Sequence, residues 1–80
     1  MRDSIHDEIR EILADIFEVG PETINDGDHL VKKLGADSLM ALELVTKLEE
    51  RYDIKIESED FPKMTTLDST VELVKHLMQL

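Results

Sequence analysis

Gly35-Ala36-Asp37-Ser38-Leu39 is the stretch from which the fold of this chain can be worked out. Glycine permits a tight turn, and either Asp37 or Ser38 can cap a helix that starts at this point. A helix is predicted over residues 38–52, because apolar side chains recur there at helical spacing. The face expected to point inward carries Ala41, Leu44, Val45, Leu48 and Tyr52.

Two more helices are predicted, one on each side of this one. Residues 4–19 form the first, and Val19-Gly20-Pro21 ends it, since glycine suits a helix C-terminus and proline cannot continue the helix. Residues 67–79 form the last, with Thr66 or Asp68 as its cap. The buried stripes are expected to be Ile5, Ile9, Ile12, Leu13 and Ile16 in the first helix and Leu67, Val71, Val74 and Met78 in the last.

The connections differ greatly in length. Residues 20–37 form a long loop with turn-forming residues at 25–28, and we expect Leu30, Val31 and Leu34 to hold it on the core. Residues 54–56 alternate like a strand but have no partner strand, so an extended connection is predicted, followed by a short helical turn over residues 57–62. The fold class is therefore all-α, a single domain over residues 1–80 built as a three-to-four-helix bundle.

Composition restricts the possible partners. The chain has 80 residues, no cysteine and a net charge of −10. Nucleic-acid phosphates would be repelled by that charge, whereas proteins with basic patches would be attracted. No apolar run reaches membrane-spanning length, and charges from Arg2 onward interrupt any signal-peptide pattern. We expect a cytoplasmic monomer without a metal site of its own.

Ser38 lacks the surroundings of a catalytic nucleophile. A hydrolase nucleophile elbow requires glycine two residues before and two after the serine, where this chain has Ala36 and Met40. A triad requires a histidine held by an acid, and the histidines at positions 6, 29 and 76 are scattered along the chain. Residues 25–28 are typical of a calcium loop only in part, because Leu30 occupies a ligand position. Taken alone, Gly35 to Ser38 is also explained by helix capping.

Leu39 and Leu42 lie on a second arc of the predicted helix, beside charged residues. An exposed apolar patch with a charged rim is typical of a contact surface. The alternative is that both leucines lie under the long loop.

The chain resembles the acyl carrier proteins of fatty-acid and polyketide synthesis over nearly its whole length. The resemblance is carried by Leu34-Gly35-Ala36-Asp37-Ser38-Leu39, Leu42-Glu43-Leu44-Val45, Leu48-Glu49-Glu50, Tyr52-Asp53-Ile54-Lys55-Ile56 and Met64-Thr65-Thr66-Leu67. The resemblance implies that Ser38 is esterified with 4′-phosphopantetheine from coenzyme A by a separate holo-synthase phosphopantetheinyl transferase. Acyl groups would then be carried as thioesters, so the chain itself is expected not to be an enzyme.

The resemblance also implies roles for the residues around Ser38. Asp37 matches an acid that helps the transferase dock, and Glu43 matches an acid that pairs with basic residues of partner enzymes. Leu39, Leu42 and Thr46 match positions that partners such as acyltransferases and ketosynthases touch. Positions that line the acyl-chain shelter in family members match Leu48, Ile56, Met64, Leu67 and Val71, which an ordinary core would explain equally well.

Three departures from the family pattern concern the recognition surface. Met40 stands where fatty-acid carriers usually have an acid, Lys47 adds a positive charge, and Glu57 replaces a common proline. Because Met40 and Lys47 alter partner recognition, we expect a specialised carrier, polyketide-like or of another dedicated acyl pathway, rather than the main fatty-acid carrier. Two alternatives stay open: a peptidyl or aminoacyl carrier of nonribosomal-type synthesis, and an unmodified acidic adapter that binds basic partners through residues 38–52.

Overall fold

Three α-helices and two short 3₁₀ helices form the chain in the computed structural model, which describes residues 4–79. The α-helices are α1 (Ser4–Phe17), α2 (Ser38–Tyr52) and α3 (Leu67–Leu77), and the 3₁₀ helices span Pro21–Thr23 and Ser58–Lys63. Extended pairing within residues 4–79 is limited to an isolated antiparallel bridge between His29 and Thr66. The predicted all-α bundle with a long first loop is confirmed.

The core is centred on α1, which packs against both α2 and α3. Ile9 and Leu13 of α1 are almost fully buried, as are Leu48 of α2 and Val74 of α3. Complete burial of one such side chain contributes about 1.5–3 kcal/mol relative to leaving it exposed. These aliphatic contacts are therefore the main force that holds the three helices together.

The predicted bounds of α2 agree with the structure, and its inward face needs one correction. Leu44, Val45 and Leu48 are buried and Tyr52 is half-buried, but Ala41 is exposed. Ala41 lies within the first turn of α2 and faces the open cavity described below. The predicted stripe is thus correct only from Leu44 onward.

The predicted end of α1 at residue 19 is wrong, because the helix ends at Phe17. Glu18 adopts the left-handed conformation with φ 56°, and the N–H of Val19 donates to the carbonyl of Ala14 at 3.0 Å. Gly20 has φ −71° and precedes the first 3₁₀ helix instead of closing α1. A glutamate at positive φ carries little sequence signal, which explains the two-residue error.

Buried apolar side chains fasten the long loop to the core. Ile24 and Leu30 are buried, and the N–H of Leu30 donates to the carbonyl of Thr65 at 2.8 Å. Leu34 is half-buried, as the prediction required. Val31 was also expected to hold the loop, but 59% of it is exposed. Of these apolar residues, Ile24, Leu30 and Leu34 therefore hold the loop, and Val31 is left on the surface.

The segment between α2 and α3 agrees in outline with the prediction, as does α3 itself. Residues 54–56 are extended as predicted. The second 3₁₀ helix spans Ser58–Lys63 and not residues 57–62, because Glu57 is its extended N-cap and the helix continues to Lys63. Thr66, not Asp68, caps α3, since its Oγ1 accepts a hydrogen bond from the N–H of Ser69 at 3.1 Å. The helix ends at Leu77 instead of residue 79, and Met78 is only half-buried.

Candidate functional site

The backbone that leads into α2 is fixed by a turn over residues 29–35. Gly35 has φ 78°, a left-handed conformation that glycine adopts without strain. Its N–H donates to the carbonyl of Val31 at 3.0 Å, and the N–H of Ala36 donates to the carbonyl of Leu30 at 2.9 Å. The turn therefore delivers the chain to the start of α2 in one defined direction.

His29 closes the beginning of the same turn. Its Nδ1 accepts hydrogen bonds from the backbone N–H groups of Val31 and Lys32, both at 3.2 Å. An imidazole nitrogen that accepts two backbone hydrogen bonds is occupied in a structural role. His29 is therefore a turn-stabilising residue in this structure.

Asp37 and Ser38 have different roles at the start of α2. Asp37 is the N-cap, with an extended backbone and Oδ1 accepting from the N–H of Met40 at 2.9 Å. Ser38 is the first residue of the helix and is exposed. Among residues 4–79, no side-chain or backbone group forms a hydrogen bond with its hydroxyl. A serine in this position is accessible to another protein and needs an external base for reaction.

An apolar cavity of about 360 Å³ opens beside Ser38. It lies between the C-terminal half of α1, the 29–35 turn, the first turns of α2 and the second 3₁₀ helix. Asp37 and Ser38 supply its polar groups, and the other lining residues are Leu13, Ile16, Phe17, Leu30, Val31, Ala36, Met40, Ala41, Leu44, Val45, Phe61 and Met64. Such a volume, bounded almost entirely by hydrocarbon, suits an apolar group.

The residues predicted to line an acyl-chain shelter divide between two places. Met64 lies on the wall of the cavity. Leu48, Ile56, Leu67 and Val71 lie in the close-packed core, each with 5% or less of its surface exposed. The wall contributed by Leu13, Ile16, Phe17 and Phe61 was missed, because the spacing of α1 marks its residues as core and does not show where packing is incomplete.

A groove of about 400 Å³ lies on the opposite, outer side of α2. Leu39 and Leu42 are 73% and 57% exposed there, so the alternative that the loop covers them is wrong. The groove is lined by Leu39, Leu42, Glu43, Thr46, Lys47 and Glu50. The structure thus brings together five of the residues predicted for partner recognition. Met40 is separate from them, since it is half-buried against the core and lines the cavity.

Polar contacts also link α1 to other segments outside this region. The Tyr52 hydroxyl donates to Oε1 of Glu8 at 2.7 Å and links α2 to α1; burial, followed by this hydrogen bond, raises the pKa of Tyr52. His6, Asp26 and Asp68 place three potential ligand atoms within 4.8 Å of one another. Oδ1 of Asp26 is already bound by Arg10 at 2.6 Å, so this cluster is an ion-pair network that fastens the long loop.

Comparison with known proteins identifies related sequences and structures. Residues 7–77 match the family model described as "Phosphopantetheine attachment site". The chain is 36% identical over 72 residues to an acyl carrier protein of Wolinella succinogenes, covering 90% of this chain and 95% of that protein. It is also similar to a chain in the solved structure of "The ishigamide ketosynthase/chain length factor", with a TM-score of 0.76, 32% identity and coverage of 94% of both chains. Within residues 4–79 no helix is long and apolar enough to cross a bilayer.

Proposed function

The chain belongs to the acyl carrier protein family, whose members are carriers and not enzymes, and from this we propose that Ser38 is the residue that bears 4′-phosphopantetheine. The observation that carries the proposal is the free, exposed hydroxyl of Ser38 at the first position of α2, beside an apolar cavity. When bound, the group supplies a thiol that holds acyl groups as thioesters, which this cysteine-free chain cannot supply by itself.

The start of α2 suits a phosphodiester on Ser38. The first N–H groups of a helix have no partner within the helix, and the positive end of the helix dipole favours an anion there. Asp37 already occupies the N–H of Met40, which leaves the N–H groups of Ser38 and Leu39 as donors close to the hydroxyl. These donors would orient the phosphate and offset its proximity to the carboxylate of Asp37.

Loading of Ser38 is a substitution at phosphorus that another enzyme must catalyse. Oγ of Ser38 forms a new bond to the phosphorus that carries the pantetheine portion of coenzyme A. The phosphoanhydride bond breaks, adenosine 3′,5′-bisphosphate leaves, and the hydroxyl proton passes to a base of the transferase. The residues of this chain contribute an accessible nucleophile and, through Asp37 and the outer face of α2, a docking surface for that transferase.

The cavity beside Ser38 is proposed to shelter the acyl chain of the loaded carrier. Its hydrocarbon lining would remove an apolar chain from water, which stabilises the sheltered state by about 0.8 kcal/mol for each methylene buried. Met64 would take part directly. Leu48, Ile56, Leu67 and Val71 would support the wall from behind, since they fill the core beneath it.

The partners are proposed to be a holo-synthase phosphopantetheinyl transferase together with acyltransferases, ketosynthases or related acyl-processing enzymes that carry basic patches. The net charge of −10 would attract such surfaces from a distance. We further propose that residues 1–80 act as a single, monomeric carrier domain in the cytoplasm, serving a polyketide-like or other dedicated acyl pathway.

Intact-protein mass spectrometry of the chain purified from its native host tests the attachment. We expect a mass increase of one phosphopantetheine, absent in Ser38→Ala, and any additional mass would identify the cargo as acyl or aminoacyl. A protein that stays unmodified after incubation with coenzyme A and a broad-specificity transferase, while folded, would overturn the proposal and favour a docking role for α2 alone.

A further inference from the structure

One solvent-exposed stripe follows the outer side of α2 and begins at the residue after Ser38. Its members recur at helical spacing, which places them on one face along nearly the whole helix. In chain order they are Leu39, Leu42, Glu43, Thr46, Lys47 and Glu50. The stripe thus presents an apolar end near Ser38 and then an acid, a base and an acid.

The charged groups of this stripe are available to a partner. Lys47 is spaced for ion pairs with Glu43 and Glu50, yet within residues 4–79 no carboxylate oxygen lies within 4 Å of its ammonium group. The hydroxyl of Thr46 donates to the carbonyl of Leu42 at 3.0 Å and is already satisfied. The groove therefore offers two apolar side chains and three unpaired charges of alternating sign.

Docking of a partner on Leu39, Leu42 and Glu43 is what the carrier family already implies. Beyond that, we infer that the partner enzyme places a carboxylate opposite Lys47, so that its docking surface is of mixed charge. This inference rests on the proposed carrier function and specifies its partner more closely. Glu43 and Lys47 are one helical turn apart on the same face, so the partner's cation and carboxylate must be neighbours on its surface.

Lys47 acts as a selectivity element in this arrangement. A uniformly basic surface would be attracted by the net charge of the chain but would bring a like charge against Lys47 at contact. A surface with a carboxylate at that point gains an ion pair instead. The net charge of the chain therefore attracts basic surfaces at long range, and Lys47 selects among them at contact. Such selection requires a group that repels the wrong partner.

The test uses the phosphopantetheinylated full chain carrying one acyl group, and a fatty-acid ketosynthase chosen for an active-site entrance with lysine and arginine and no carboxylate. We expect Lys47→Glu to raise kcat/KM about fivefold, the size of effect that exposed charge pairs produce. Lys55→Glu is the matched control, because Lys55 is exposed, lies outside the groove and gives the same change in net charge. It should change kcat/KM much less.

The partner's carboxylate is tested by charge exchange. Each basic residue of the ketosynthase entrance is replaced in turn by glutamate, and we expect at least one such variant to turn over the unmutated carrier faster and the Lys47→Glu carrier more slowly. Equal effects of Lys47→Glu and Lys55→Glu, or no variant with opposite responses, would overturn the inference. Loading of Ser38 is followed in parallel by mass spectrometry. If the carriers are loaded but turnover does not depend on the charge at position 47, only the docking inference is refuted. If Ser38 is not loaded, the proposed function is refuted as well.

Discussion

Oδ1 of Asp37 accepts a hydrogen bond from the backbone N–H of Met40 at 2.9 Å, so Asp37 is the residue that caps α2. The sequence leaves open whether Asp37 or Ser38 has this role, since both types of side chain are good N-caps. Because Asp37 takes it, the hydroxyl of Ser38 is not needed for the fold. The cap and the proposed modification therefore fall on adjacent residues, and each can be altered separately.

Ser38→Ala should leave the stability of the domain almost unchanged. The hydroxyl of Ser38 forms no hydrogen bond with the described residues, and alanine is well tolerated in a first helical turn. We expect the free energy of unfolding in urea to change by less than about 0.5 kcal/mol, as for ordinary surface substitutions. A loss of more than that would indicate a structural role for the hydroxyl.

Asp37→Ala, in contrast, should lower the stability of the domain. Removal of an N-cap oxygen typically costs about 1 kcal/mol, and Asp37→Asn retains an acceptor and should cost much less. Urea unfolding of both variants measures the cap, and the rate of Ser38 loading by a transferase measures docking. If Asp37→Asn loads slowly although its stability is retained, the carboxylate charge also contributes to transferase recognition.

The helices could be predicted because they depend on local periodicity, which the sequence displays. The α2 bounds were correct, since Asp37 or Ser38 marks its start as a cap candidate and Tyr52 is the last residue of its apolar stripe. The errors have two causes. Glu18 adopts a positive φ that its residue type does not signal, whereas the exposure of Val31 and Ala41 depends on packing by other segments.

Gly35→Ala should destabilise the approach to Ser38. Gly35 has φ 78°, where a residue with a Cβ atom pays about 1–2 kcal/mol, although no atom lies within 4 Å of the position such an atom would occupy. The cost is therefore one of backbone conformation alone. Gly27→Ala is the control, because Gly27 has equally open surroundings without a positive φ. Urea unfolding should show a loss for Gly35→Ala and none for Gly27→Ala.

Tyr52→Phe should remove a pH-dependent part of the stability. Burial and the hydrogen bond to Glu8 raise the pKa of Tyr52 above its ordinary value of 10.0. Above pH 10 the unfolded chain loses this proton while the folded chain keeps it, so the stabilisation is complete below that pH and is lost as pH rises. Urea unfolding below and above pH 10 should show a smaller decrease in the free energy of unfolding for Tyr52→Phe than for the unmutated chain. Tyr52 is the only tyrosine, so tyrosinate absorbance reports its ionisation directly.

Some parts of the candidate site could be predicted from the sequence, and others could not. Ser38 and Asp37 were singled out by the resemblance to the carrier family, and the exposed stripe of α2 follows from helical spacing. The cavity does not, because a void depends on how α1, the 29–35 turn and the second 3₁₀ helix fail to meet. Its wall includes Phe17 and Phe61, which are distant in sequence from Ser38. Only Met64 of the predicted lining reaches it.

Met40→Asp should act on the cavity and not on the groove. Met40 was expected on the recognition surface, but its side chain is half-buried against the core and lines the cavity beside Ser38. The substitution removes the apolar contacts of the methionine side chain and takes a carboxylate partly out of water. We therefore expect the free energy of unfolding in urea to fall by about 1–3 kcal/mol. An apolar acyl thioester on Ser38 should also be cleaved faster by hydroxylamine, because the cavity is less able to hold the chain.

Leu39→Asp is the matched control one residue away, since Leu39 is 73% exposed and lies in the groove. It should leave both stability and thioester cleavage nearly unchanged while weakening ketosynthase turnover, and equal cleavage rates for the two variants would show that the acyl chain does not occupy the cavity.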